Sequence, residues 1–183
     1  MKIRSFLLSL SGLAALLATG CSTTAPTSGP SPSYTAASDG SSVKNITVTF
    51  QDPERFTDAR SDFGSTTDHG YLDLLSAHLK RMASPHIPAD QKLDVTFTDI
   101  DLAGDFRPDR VQAMDVRIIK DIYRPRMTLH FKLAGADGKV LKESDRTLVD
   151  SYFMSNISTV DRSEPLFYDK EMLTDWVRDE FKN

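Results

Sequence analysis

Asp99, Asp101, Asp105 and Asp109, with Gly104 among them, are the densest polar feature of the chain. Asp-x-Asp followed by glycine resembles the start of a calcium loop, where alternate carboxylates converge on a hard cation. Such a loop also needs an oxygen ligand at its fifth position and a Glu at its twelfth. Those positions hold Ala103 and Arg110, so a metal site on Asp99, Asp101 and Asp105 is disfavoured. The better reading makes these carboxylates acceptors for backbone N–H groups at an irregular strand, or partners for Arg107 and Arg110. Asp99 and Asp101 share one face if the strand stays regular. Paired acid–base work would then be within reach, but no third group completes a catalytic set.

The histidines are His69, His78, His86 and His130. His69 and His78 are nine positions apart, which puts them on opposite sides of a helix. No H-x-x-x-H spacing occurs, so a zinc site built on one helix is unsupported. Each reads as a surface or helix-end residue. His130 alternates with Thr128 and Lys132 on a polar strand face and is a candidate ligand or partner contact. Phe56-Thr57-Asp58 sits on a long loop, and long loops in compact domains are often functional. Phe56 and Asp58 are therefore candidates too, against the plainer reading that Phe56 plugs the sheet's end and Asp58 caps a turn. Trp176 is spaced with Leu173 and Val177 as a core residue. No Gly-x-Ser-x-Gly elbow, phosphate loop or dinucleotide fingerprint is present, so no cofactor is expected and the balance leans away from an enzyme.

The single cysteine, Cys21, closes Leu17-Ala18-Thr19-Gly20-Cys21. Before it stand a basic start, Lys2 and Arg4, and an apolar run from Phe6 to Leu17. That run is too short to cross a bilayer, which takes about 20 apolar residues. A basic start, a short apolar core and a small-residue exit make a secretory signal. The exit resembles the lipobox of bacterial lipoproteins. That resemblance implies a diacylglycerol on the Cys21 sulfur, cleavage before it and acylation of the new amine. With Ser22 next, it also implies delivery to the outer membrane, facing the periplasm. Two acyl chains already give stable anchoring.

Charge and composition bound the rest. The net charge is −4, and loss of Lys2 and Arg4 with the signal takes it to −6. A mildly acidic domain without a basic stripe argues against nucleic acid as a partner. Residues 22–42 are Ser, Thr, Ala, Pro and Gly except for Tyr34 and Asp39. Such a segment cannot bury enough apolar surface to offset its ordering entropy and is expected to be a tether. The expected organisation is thus 1–20 signal, 21–42 lipidated Cys and tether, and 43–183 one globular domain.

Within that domain Ile46, Val48 and Phe50 alternate as a strand. Leu72, Leu75, Leu79 and Met82 mark a helix over about 68–83, capped by Thr67 or Asp68 and stopped by Pro85 and Pro88. Leu93, Val95 and Phe97 form a second strand. The parity then shifts to Ile100 and Leu102, which predicts a bulge near Thr98–Asp99. A third strand is expected over 114–123. Met127, Leu129, Phe131 and Leu133 make a fourth, and a hairpin turn at Ala136-Asp137-Gly138-Lys139, with Asp-Gly supplying the positive φ values, leads to a fifth over about 139–153. The polar middle of that strand, Glu143–Arg146, is expected to project beyond the core. Met172, Leu173, Trp176, Val177 and Phe181 mark a final helix, with Asp169 as its cap. The order β-α-β-β-β-β-α gives an α+β two-layer sandwich: a mainly antiparallel sheet of about four to five strands with two helices on one face.

Three local patterns carry a further resemblance. They are Phe50-x-x-Pro53-x-x-Phe56-Thr57-Asp58, Thr98-Asp99-Ile100-Asp101-Leu102-Ala103-Gly104, and Tyr168-x-Lys170-x-Met172-Leu173-x-x-Trp176. Together they resemble the domain of unknown function 3016 family of bacterial exported proteins and lipoproteins, over roughly residues 43–182. The resemblance implies an exported location and no particular activity. Two functional expectations follow. One is a lipid-anchored, non-enzymatic envelope domain that binds a protein or lipid partner. The other is a ligand-binding or hydrolytic domain using the Asp99–Asp109 segment.

Overall fold

The computed structural model describes residues 32–35, 43–58, 70–106, 117–155 and 162–182. They fall in one compact unit, Ser31–Asn183. The signal, Cys21, most of the segment read as a tether, the Thr67/Asp68 cap, His69, Arg107, Asp109 and Arg110 lie outside the described residues.

Strand β1 (Ser33–Thr35) is followed by β2 (Ile46–Gln51), a 3-10 turn (Pro53–Arg55), helix α1 (Gly70–Ala83) and β3 (Lys92–Asp101). Then come β4 (Asp105–Phe106), β5 (Arg117–Ile118), β6 (Arg126–Ala134), β7 (Val140–Val149) and helix α2 (Phe167–Glu180). The main sheet has the order β1-β2-β3-β6-β7, and β4 and β5 form a small separate ladder. Only β2 and β3 run parallel, with α1 as their crossover; the other pairs are antiparallel. A parallel pair needs such a crossover, whereas β6 and β7 need only a hairpin. The expected α+β sandwich is therefore present, with helices on one face.

The core lies between that face and the helices. Ile46, Val48, Phe50, Leu93, Val95, Phe97, Met127, Leu129 and Phe131 meet Leu72, Leu75, Leu79, Leu173, Trp176 and Val177 in one cluster. Phe97 stacks on Phe50, and Phe131 meets Trp176 and Phe181 edge-on. The expected bulge is there: β3 pairs with β6 through Phe97, then shifts register before Asp99. The slip keeps both Phe97 and Ile100 buried. Among the described residues no helix is long and apolar enough to cross a membrane.

Four expectations need correction. Ser33–Thr35, inside the segment read as a tether, forms an edge strand. Tyr34 explains it: its ring packs 6.1 Å from Phe50 and its hydroxyl donates to Asp73 Oδ1 at 2.7 Å. The third strand is not a member of the main sheet. Within 117–123 only Arg117–Ile118 pairs, and it pairs with β4. The hairpin has positive φ at Gly138 alone, with Gly138 N–H donating to Gly135 O and Gly135 N–H to Lys139 O. That is a turn closed by a glycine bulge, not a turn with two left-handed residues. Finally, the middle of β7 projects only in part, with Glu143 and Asp145 exposed and Arg146 held against α2. Lys142 and Arg146 reach Glu180 of α2 at 2.6 and 2.7 Å, and the Arg146 guanidinium lies over the Phe131 ring.

Candidate functional site

The bulge in β3 turns Asp99 outward from the strand at the place where the chain leaving the 3-10 turn comes alongside. Thr57 N–H donates to Asp99 Oδ1 at 2.7 Å, and the Thr57 hydroxyl donates to Oδ2 at 3.0 Å. The next residue continues the attachment through the backbone, with Asp58 N–H donating to Ile100 O at 2.9 Å. Phe56, between the turn and this contact, is 4% exposed and joins the core. Phe56 thus fills the end of the sheet, as the plainer reading held.

The Asp58 carboxylate is bonded by Arg117 of β5, and both side chains are nearly buried. Arg117 also donates through one nitrogen to the carbonyls of Leu102, Ala103 and Gly104. A planar guanidinium suits this, because its several N–H donors fan toward separate acceptors. The Tyr71 hydroxyl donates to the Asp58 carbonyl at 3.2 Å. Burial, then the nearby Asp58 charge, raise the Tyr71 pKa, so it stays a phenol.

On the other side of the same loop Asp169 of α2 accepts the Ala103 N–H at 3.0 Å. Asp169 is therefore not the helix cap; that position is Leu166, whose side chain makes no capping bond. Asp169 is 2% exposed. Burial pushes its carboxyl up to about 7, against the opposing pull of the Ala103 N–H and Arg117. The three family-like patterns thus meet at one place: Thr57 and Asp58 from the first, Asp99 to Gly104 from the second, Asp169 from the third.

Gly104 holds the middle of the cluster. Its φ is +87°, and a Cβ there would stand 2.6 Å from Ile119 Cδ1 and 2.9 Å from Ile118 O. A side chain is excluded by both conformation and space. Asp105 accepts the N–H of Phe106. Asp101 has looser contacts: Arg126 Nε is 3.8 Å away, and its pKa is raised by partial burial despite Arg126. Asp58, Asp101 and Asp105 line an open cleft of about 700 Å³ with Thr57, Gly104, Ile122, Tyr123, Arg124, Arg126 and Val149. Among the described residues no group of three or more His, Cys, Asp or Glu side chains is arranged to hold a metal ion.

His130 stands elsewhere, on the open face of the sheet. Its Nδ1 lies 2.9 Å from Asp145 and its Nε2 3.2 Å from Glu143. Hydrogen bonding to Asp145 raises its pKa most. A ring held between two carboxylates favours the imidazolium and leaves no lone pair for a metal. His78, read as a surface or helix-end residue, is instead buried between the helices. Arg81 lies 3.0 Å from Nδ1 and the Thr174 hydroxyl 2.8 Å from Nε2. Because guanidinium can only donate, Nδ1 accepts and Nε2–H donates to Thr174, whose own O–H donates to Lys170 O. Burial lowers the His78 pKa to about 4. Trp176 is core, 6% exposed.

Sequence reasoning missed Arg117, Asp169 and Arg126 as members of the cluster. Asp169 lay inside the third pattern, between Tyr168 and Lys170, and a carboxylate among core positions of a helix was its only signal. Arg117 gave none, because its partners are three backbone carbonyls and a carboxylate, Asp58, remote from it in sequence. A family model described as "Protein of unknown function (DUF3016)" matches residues 44–179. No curated protein and no solved structure matches the chain.

Proposed function

The chain belongs to that family of unknown function, DUF3016, and from this premise we propose that it is a lipid-anchored envelope lipoprotein. Its domain faces the periplasm from the outer membrane and acts as a non-enzymatic accessory or binding module. The anchor rests on Leu17-Ala18-Thr19-Gly20-Cys21 behind a short apolar run. The non-enzymatic reading is carried by the commitment of the cluster: Asp99 is bonded by Thr57, Asp58 by Arg117 and Asp169 by Ala103 N–H. Carboxylates bonded in this way hold four chain segments together and have little capacity left for transferring protons to a ligand.

One observation favours a second reading. Asp101 opens onto the cleft and burial raises its pKa, as a ligand-binding or hydrolytic site would require. The test is a crosslinked pull-down of the tethered chain from its envelope, with wild type beside Asp101→Asn. The binding module retrieves the same partner from both. Bait alone from the wild type contradicts the accessory role, and loss of a small-molecule ligand in Asp101→Asn alone favours the second reading.

A further inference from the structure

β7 is the edge of the main sheet, ten residues long, and seven of them are exposed. Among the described residues no strand pairs with its outer side. Val140, Leu141 and Val149 on it, and Tyr152 and Met154 just beyond, are large apolar side chains at 40% exposure or more. Long edges of this kind are usually blunted, since they invite another strand.

Beside this edge runs a groove of about 470 Å³ between β7 and α2. Its helix wall is Met172, Asp175, Trp176 and Asp179, the i, i+3, i+4, i+7 stripe of one helix face. Leu148 lies on the sheet side, and Asp150 completes the rim. Three aspartates and no lysine or arginine line the groove. Asp175 and Asp179 have partners in Arg178 and Lys182, but these are exposed pairs that contribute little and exchange readily. On the open face β7 presents two more carboxylates, Glu143 and Asp145, beside His130.

We propose that β7 and this groove receive an extended segment of a partner protein, alternating apolar and basic residues, which adds to the sheet as a further strand. Main-chain bonds to the β7 edge give affinity, and alternate side chains give specificity. Apolar side chains on one face of the added strand cover Leu148, Met172 and Trp176, and lysines or arginines on its other face meet Glu143 and Asp145. Charge selects against the other occupants. Two copies of β7 paired antiparallel about Ser144 set Lys142 opposite Arg146 and Glu143 opposite Asp145. Centring on Lys142, Glu143, Asp145 or Arg146 sets that residue against itself, and centring on Leu141 or Thr147 leaves at most five residues of β7 paired. Like charges directly opposite destabilise a ladder. An aspartate-lined groove is equally unsuited to an anionic lipid surface.

This deepens the binding-module reading and rests on it. The probe is a soluble nonapeptide alternating valine and lysine, added to the full chain in detergent. The expected result is slowed amide exchange across Val140–Val149 and a change in the emission of Trp176, the only tryptophan. A valine–glutamate peptide of the same length binds about tenfold more weakly or not at all, and Glu143→Lys with Asp145→Lys reverses that preference. Both substitutions are at solvent-facing positions, so folding is retained. N-methylation at alternate lysine-peptide amides abolishes the protection. No protection of β7 at millimolar peptide, equal binding of both peptides, self-association through β7, or binding to phosphatidylglycerol vesicles in place of peptide would each overturn the proposal. If the peptide fails while the envelope pull-down still yields a partner, the site assignment falls and the binding-module reading stands.

Discussion

Asp169 and His78 are buried ionisable groups whose folded pKa values move in opposite directions, and their signs can be separated. Burial raises Asp169 from 3.8 to about 7. The folded state holds that proton more tightly, so its contribution is complete at low pH and is lost as pH rises from about 4 to about 7. Burial lowers His78 from 6.5 to about 4. Its contribution is complete above pH 6.5 and is lost as pH falls toward 4. The groups facing Asp169 are the Ala103 N–H, Arg117 and Asp58; those facing His78 are Arg81, Thr174, Lys170 and Glu164. Thermal melts across this range should therefore tilt two ways. Asp169→Asn gains on wild type as pH rises, whereas His78→Gln gains on wild type as pH falls. Parallel profiles for all three proteins would remove both assignments. At Asp99 the expected effect of Asp99→Ala is a loss of about 1–2 kcal/mol by urea unfolding, because Thr57 loses both acceptors. Of this cluster the sequence disclosed Asp58, Asp99 and Asp101 and the three patterns that resemble the family. It did not disclose Asp169 or Arg117, since a guanidinium bonded to carbonyls and to one distant carboxylate leaves no mark in residue spacing.

At the level of elements the bulge in β3 was legible, because a parity shift between Phe97 and Ile100 has one simple cause. Gly104 was legible only as a glycine near carboxylates. Its role is conformational: φ is +87° and β5 presses against it. Gly104→Ala should cost about 1–3 kcal/mol and should raise amide exchange in β4 and β5 before the main sheet. An unchanged melting temperature would contradict the account of that turn. β1 was hidden because composition averages over a window, and one tyrosine in a Ser/Pro-rich segment does not shift the average. Yet Tyr34 alone supplies both the ring contact with Phe50 and the bond to Asp73. The third strand was over-read because, within 117–123, Ile118 serves a local ladder rather than the core and Ile122 is exposed. At the far edge, Glu180 ties β7 to α2 through Lys142 and Arg146. Glu180→Ala should speed amide exchange in β7 while leaving β3 unchanged, and equal acceleration in both would show that the tie is not local.

For the whole molecule, the layer architecture followed from one-sided strands and one-sided helices, which have to bury their apolar faces against each other. Function did not follow in the same way, because the residues with the most chemistry are spent on holding segments together. The clasp of Asp58, Asp99, Arg117 and Asp169 accounts for why a dense acidic segment need not be an active site. Ser33–Thr35 is paired into the sheet. If Cys21 carries the lipid, the residues between them can span at most about 40 Å fully extended. The β7 edge and its groove would then work close to the membrane surface, where a partner with a basic, apolar strand could be met. The lipid on Cys21 is the claim on which this placement depends, and metabolic labelling with a fatty-acid analogue followed by membrane fractionation tests it most directly. The account predicts that wild-type chain carries the label and sediments with membranes, while Cys21→Ser carries none and is released. Label retained on Cys21→Ser, or absent from the wild type, would contradict it.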